Sequence, residues 1–239
     1  MVKNCLGLVL VVTLLGIEVF AQRIPVPFLA KDKWEFSGFI GFGGAGDDTF
    51  VTPVEEGTTK NVKLDIDQGY ALGIRITENR GRFFGAELEY SVTNHPLSFQ
   101  QLSTALPSIT LDHRMHKLAY SFLLYGLGQE KIIRPFGSVG LGTSFFHVSS
   151  DSRDKALMQG ADLKNRWKLA VSYGGGVKVK LTPGWGLRVD FRNQITGVPD
   201  FGFPSQAPLL ALGGTGLGFR PDGVLYSWQT IIGFIYAFR

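Results

Sequence analysis

Cysteine is all but missing from this chain of 239 residues: Cys5 is the sole example, and it stands ahead of everything that reads as folded. Without thiols further on, neither a disulfide framework nor a thiol-based catalytic centre is available. Charge of one sign is equally scarce, since 24 Lys and Arg against 20 Asp and Glu leave a net +4 that is gathered into no basic run. That balance excludes the electrostatic footprint of a nucleic-acid binder. Past the N-terminal region no stretch offers 18 consecutive apolar residues, so a helical membrane protein is excluded as well. The four histidines, His95, His113, His116 and His147, lack metal-ligand spacing. The glycine-rich "GFGGAG" and "GGTGLGF" lack the lysine and the strand-to-helix context of a phosphate loop. No metal and no cofactor is therefore expected.

What is present begins with "MVKNCLGLVLVVTLLGIEVFAQR": a short basic start, an apolar run from Leu6 to Ile17, and small residues before a break at Ala21. This predicts a cleaved signal peptide over residues 1–21 and an exported domain over 22–239. The apolar run is too short for a spanning helix. Cys5 precedes the run, whereas a lipid-bearing cysteine would follow it.

The exported part is rich in glycine (31) and phenylalanine (19), and it alternates. In "LAVSYGGGVKVKLTPGWGLRVDFR" one set of positions reads Leu169, Val171, Tyr173, Val177, Val179, Trp185, Leu187, Val189 and Phe191. The other carries Ser172, Lys178, Lys180, Arg188, Asp190 and Arg192. Residues two apart share one face of a strand, so this is a hairpin with one apolar and one charged side, turned at "LTPGWG". Six more segments read the same way, starting near Trp34, Gly69, Phe83, Met115, Pro135 and Tyr226, to give eight strands in all. Connections alternate between short turns and long polar loops over 44–68, 94–114, 147–166 and 193–225. Short turns on one side and four long loops on the other mark an outer-membrane barrel. Sixteen strands would leave no room for those loops.

Two barrels share such alternation, one soluble with its apolar face inward and one in a membrane with its apolar face outward. Glycines decide, because Gly73, Gly85, Gly140, Gly142, Gly174, Gly176 and Gly233 lie on the charged face, where a narrow bore crowds side chains. Large rings gather on the apolar face. Trp34, Tyr90, Tyr173, Trp185 and Trp228 are expected as interface aromatics. The expectation is an all-β, eight-stranded antiparallel up-and-down transmembrane barrel, closed because hydrocarbon tolerates no open strand edge. It would sit in the cell outer membrane as a monomer, touching outer-membrane lipid and lipopolysaccharide.

The motifs "WEFSGFIGFG", "FFGAELEYS", "RPFGSVGLG" and "WQTIIGFIYAFR" resemble the small outer-membrane β-barrels of the OmpA and OmpX type. The resemblance covers the whole exported part and implies the fold more than any task. It also implies that the last strand, with Phe234, Tyr236 and Phe238, is read by the barrel-assembly machinery. Arg239 after the terminal Phe departs from that pattern.

Inside, Arg75, Glu87, Glu89, Lys178, Arg188, Asp190 and Arg192 are expected to form a polar network, with Lys117 and Glu35 on the same face. An eight-stranded bore is just wide enough to be filled by side chains, so this network reads as packing. The alternative is a narrow or gated conduit for small solutes. His147-Val148-Ser149 faintly resembles the His-x-Ser of lipid A deacylases, but it lacks a clear acidic partner, and no catalysis is expected. The longest outer loop is unusually apolar, with Phe201, Phe203, Leu209, Leu210, Leu217 and Phe219. Such a surface folds over the barrel mouth or meets a partner. The function expected is a structural or surface-interaction role through the outer loops, with an extracellular partner.

Overall fold

A computed structural model describes residues 32–45, 48–53, 59–66, 68–101, 109–151, 153–154, 164–199, 201, 209–210, 214–215 and 224–238. Of these, 48–53, 59–66, 95–101, 109–113, 209–210 and 214–215 are described by their backbone alone. The expected signal peptide, Phe203, Leu217, Phe219 and Arg239 lie outside the described residues. Among the described residues no helix is long and apolar enough to cross a membrane.

The strands are β1 (Trp34–Ala45), β2 (Asp48–Pro53), β3 (Thr59–Ile66), β4 (Gly69–Asn79), β5 (Phe84–Gln101) and β6 (Ile109–Tyr125), followed by β7 (Ile133–Val148), β8 (Arg166–Thr182), β9 (Trp185–Gly197), β10 (Leu209–Leu210), β11 (Gly214–Thr215) and β12 (Val224–Phe238). Eight of them close a ring in the order β1, β4, β5, β6, β7, β8, β9, β12, every neighbouring pair antiparallel. The seam between first and last strand runs from Trp34 opposite Phe238 to Ala45 opposite Ser227. Closure leaves no ring strand with an unpaired edge, which the interior of a bilayer requires.

The register also sets the bore. From Ile40 the ladder passes one way through Leu72, Val92 and His116 to Phe145 on β7. The other way it passes through Ile232, Val189 and Val177 to Pro135 on the same strand. The two ends differ by ten positions (135 against 145). With strands ~4.8 Å apart and ~3.3 Å per residue, that stagger tilts the strands by about 40° and gives a backbone radius of about 8 Å.

Turns join β4 to β5, β6 to β7 and β8 to β9 at one end, and both chain termini of the barrel lie there too. This is the end that faces the periplasm in outer-membrane barrels. Gly184, at φ 77°, supplies the left-handed position of the two-residue turn between β8 and β9.

At the opposite end the chain departs from the expected loops. The stretch 94–114 is largely strand, since β5 and β6 stay paired out to Phe99 opposite Ile109. The stretch 44–68 holds β2 and β3, and β3 adds to the outer part of β5. The apolar alternation stops where lipid stops, while backbone pairing continues into water, so periodicity alone misses these extensions. Tyr90 lies on the outward face of β5 and Tyr173 on that of β8.

Candidate functional site

Inward positions of β4, β5, β6 and β9 meet at mid-height. Arg75 donates through Nε to Glu89 at 2.7 Å and through Nη1 to Asp190 at 2.8 Å. Arg188 donates to Asp190 at 2.6 Å and to Glu87, and Arg192 donates to Glu87 and faces Glu89 at 3.2 Å. Lys117 reaches Glu89 at 3.0 Å, and the Thr77 hydroxyl donates to Glu87 at 2.9 Å. All these charged side chains are 2 % exposed or less.

β5 and β9 stand four steps apart round the eight-membered ring, so the Arg188–Glu87 pair crosses the full bore. A guanidinium and a carboxylate gripping each other across the diameter leave no straight path along the axis. Four cations (Arg75, Lys117, Arg188 and Arg192) and three carboxylates (Glu87, Glu89 and Asp190) share the layer, and each charge has an opposite partner within 3.2 Å. Buried ions cost several kcal/mol each to desolvate, and mutual pairing of this density offsets that cost.

Beneath this layer, toward the short turns, Lys178 binds Glu35 and the Tyr125 hydroxyl, the latter at 2.9 Å. Asn79 donates to Glu35 at 2.8 Å and accepts from Arg134 at 2.9 Å. The Arg134 guanidinium lies 3.3 Å from the centre of the Tyr125 ring, and Arg188 lies 4.4 Å above Phe136. Phe39 packs under Arg75 at 4.1 Å. These inward rings, Phe39, Tyr125 and Phe136, were missed by sequence reasoning, which reserved aromatics for the lipid face. The available signal was glycine: a Cβ on Gly73 would stand 2.3 Å from the Phe39 ring, so the glycine makes room for it.

Above the ionic layer most inward residues are neutral, with Lys168 and Arg166 on the inward row of β8 toward the mouth. The Gln194 amide donates to Ser144, and the Gln229 amide donates to Thr93 at 3.0 Å. Phe201, from the apolar outer loop, is fully buried at the mouth with its ring edge-on to Phe146 at 6.1 Å. Its carbonyl accepts from the Lys164 backbone N–H at 2.6 Å, tying two outer loops together. Further along the loop, Leu209 and Leu210 pair as a short strand with residues 214–215.

Outside, Phe36, Ile40, Leu72, Phe122, Leu141 and Phe234 stand exposed, as lipid-facing side chains must. Trp185 packs on Tyr236 at 5.0 Å near the short-turn end, and Tyr236 stacks on Phe238 at 6.0 Å. Trp34 is in register with Phe238. Trp228 meets Phe42 edge-on at 6.0 Å toward the other end. His147 sits on this outer face at the end of β7, and no carboxylate among the described residues pairs with it. Ser149 lies beyond the strand.

A closed antiparallel ring with an apolar exterior and an ionic interior is a membrane barrel, and comparison with known families agrees. The family model described as "outer membrane protein beta-barrel domain" matches residues 8–203. The chain belongs to that family. Among solved structures it is similar to the outer membrane protein OprG from Pseudomonas aeruginosa, at 17% identity and a TM-score of 0.57 over 89% of this chain and 99% of that one. It is also similar to Neisserial surface protein A, at 10% identity and a TM-score of 0.51 over 86% of this chain and 97% of that one. At such identities the likeness concerns the fold alone. No curated protein matches the chain. Outer-membrane residence follows from the family.

Proposed function

We propose that this outer-membrane barrel is a closed scaffold that presents an interaction surface outside the cell, with neither transport nor catalysis as its task. The observation that carries this reading is the ribbon formed by β2, β3 and the outer parts of β5 and β6. Past Thr93, whose hydroxyl accepts from Gln229 inside the bore, the β5 backbone continues for eight residues to Gln101, about 27 Å along the strand. Two further strands extend this ribbon sideways. Backbone built out to that extent, on a barrel whose bore is bridged by Arg188 and Glu87, serves contact better than passage. Exposed ribbons of this kind bind partners through strand edges and alternate side chains.

Two measurements test the proposal together. The folded protein in a planar bilayer is expected to give no steady open steps. Cells displaying it are expected to lose attachment to protein-coated surfaces when residues 48–66 are replaced by a short glycine-serine link. Steady conductance with unchanged attachment would replace this reading with a conduit.

A further inference from the structure

Among the barrel-strand residues whose side chains are described, two charged ones face outward: Glu78 at the short-turn end of β4 and Arg114 at the outer end of β6, with Asp112 two positions beyond Arg114 on the same row of the strand. An arginine facing lipid is costly at the midplane and tolerated near the headgroups, so Arg114 marks the outer rim. It is exposed and makes no ion pair among the described residues. In register beside it stand Asn94 on β5 and His147 on β7. One step below, His116 is hydrogen-bonded to the Tyr90 hydroxyl at 2.8 Å and lies 6.0 Å from the Phe145 ring. Phe145 in turn packs on Trp167 at 4.7 Å. The result is a cation and two imidazoles on adjacent strands, framed by aromatic rings and facing headgroups.

A groove leads up to that cluster. It has a volume of about 830 Å³, is overwhelmingly apolar, and follows the ladder row from Val189 through Ile232, Ile40 and Leu72 to Val92, ending at Asn94, Arg114 and His116. With strands tilted by about 40°, each step round the ring climbs about 3 Å. The row therefore rises about 15 Å, half of a ~30 Å hydrocarbon core and so the depth of one leaflet.

We infer that this face holds one phosphate-bearing lipid of the outer leaflet, its acyl chain along the groove and its phosphate on Arg114, with His116 and His147 donating beside it. The charge identifies the occupant as anionic: the phosphate of a zwitterionic headgroup brings its own ammonium, which competes with Arg114, whereas a phosphate without one is left to take charge-assisted hydrogen bonds from this cluster. The apolar groove sets a lipid apart from free phosphate.

The test uses the full chain folded in neutral detergent and titrated with bisphosphorylated lipid A, with bound lipid counted by native mass spectrometry. Arg114→Gln combined with His147→Gln should weaken binding about tenfold or more while leaving heat-modifiable migration unchanged. Arg114→Lys should restore most of the affinity, and Leu72→Trp, which fills the groove from another strand, should weaken binding with the basic cluster intact. Equal binding of phosphatidylcholine, or lipid A binding that none of these variants changes, would overturn the inference. Displacement of lipid A by millimolar inorganic phosphate would reduce the site to a free-phosphate site and overturn it too.

Discussion

The two faces of β9 use one stretch of backbone in opposite ways. Outward, Leu187, Val189 and Phe191 meet a solvent that accepts any apolar shape, so no partner has to be in place. Inward, Arg188, Asp190 and Arg192 lie within a bore about 8 Å in radius, where every charge depends on a named partner on another strand. The outer face is therefore tolerant of shape and intolerant of charge. The inner face is tolerant of charge only as part of a matched set.

That contrast breaks hardest at Glu87, which accepts from Arg188, Arg192 and Thr77. Glu87→Ala leaves two guanidiniums buried and short of a partner, with an expected loss of about 3–5 kcal/mol. Urea titration of the barrel in lipid vesicles measures it, and a loss below 1 kcal/mol would show the layer to be hydrated and slack. On the opposite face, Val189→Arg places a charge in hydrocarbon and is expected to cost about 2–4 kcal/mol in the same assay. A benign Val189→Arg would mean that the apolar face is not the lipid face.

At the mouth, Phe201→Ala removes the ring that packs on Phe146 and is expected to cost about 1.5–3 kcal/mol. This loss is local. Protease should cut the loop near Lys164 and Phe201 faster while the urea midpoint of the barrel stays nearly fixed. A barrel-wide loss would instead make the loop part of the core.

The smallest effect concerns Arg82 and Glu130, paired at 3.0 Å in the turns outside the membrane and largely exposed. The backbone N–H in its own turn and the Arg82 guanidinium hold the Glu130 carboxyl below the usual glutamate range. A lowered folded-state pKa gives stability that is present at neutral pH and lost as pH falls through that value. Solvent screening keeps the whole contribution within about 0.5 kcal/mol, so Glu130→Gln should leave the pH-dependence of unfolding almost unchanged. A larger effect would show that the turn end matters more than its exposure suggests.

Strand number and sidedness were legible because lipid imposes strict alternation: Trp34, Ile74, Leu88, Leu118, Val139, Val171, Val189 and Ile232 each stand on an apolar row between polar neighbours. The strands' outer extensions were hidden, since Asn94, Ser98 and Thr110 show no such pattern once lipid ends. The polar lumen residues could be named from parity. Their pairing could not, because Arg188 had Glu87 and Glu89 as equal candidates, and only the ring places β5 opposite β9. Arg114 was likewise invisible as an outward residue until β6 was seen to run past Met115.

Composition and alternation by themselves determined an eight-stranded barrel with its apolar side in lipid: the two-residue period separates the faces, the glycines on the charged face place it inside a narrow bore, and hydrocarbon bans unpaired backbone. What only the tertiary structure decided is which charges meet. A stagger of ten residues and the curvature of the ring bring Arg75 to Asp190 across 115 positions of sequence, and no local pattern encodes a diameter.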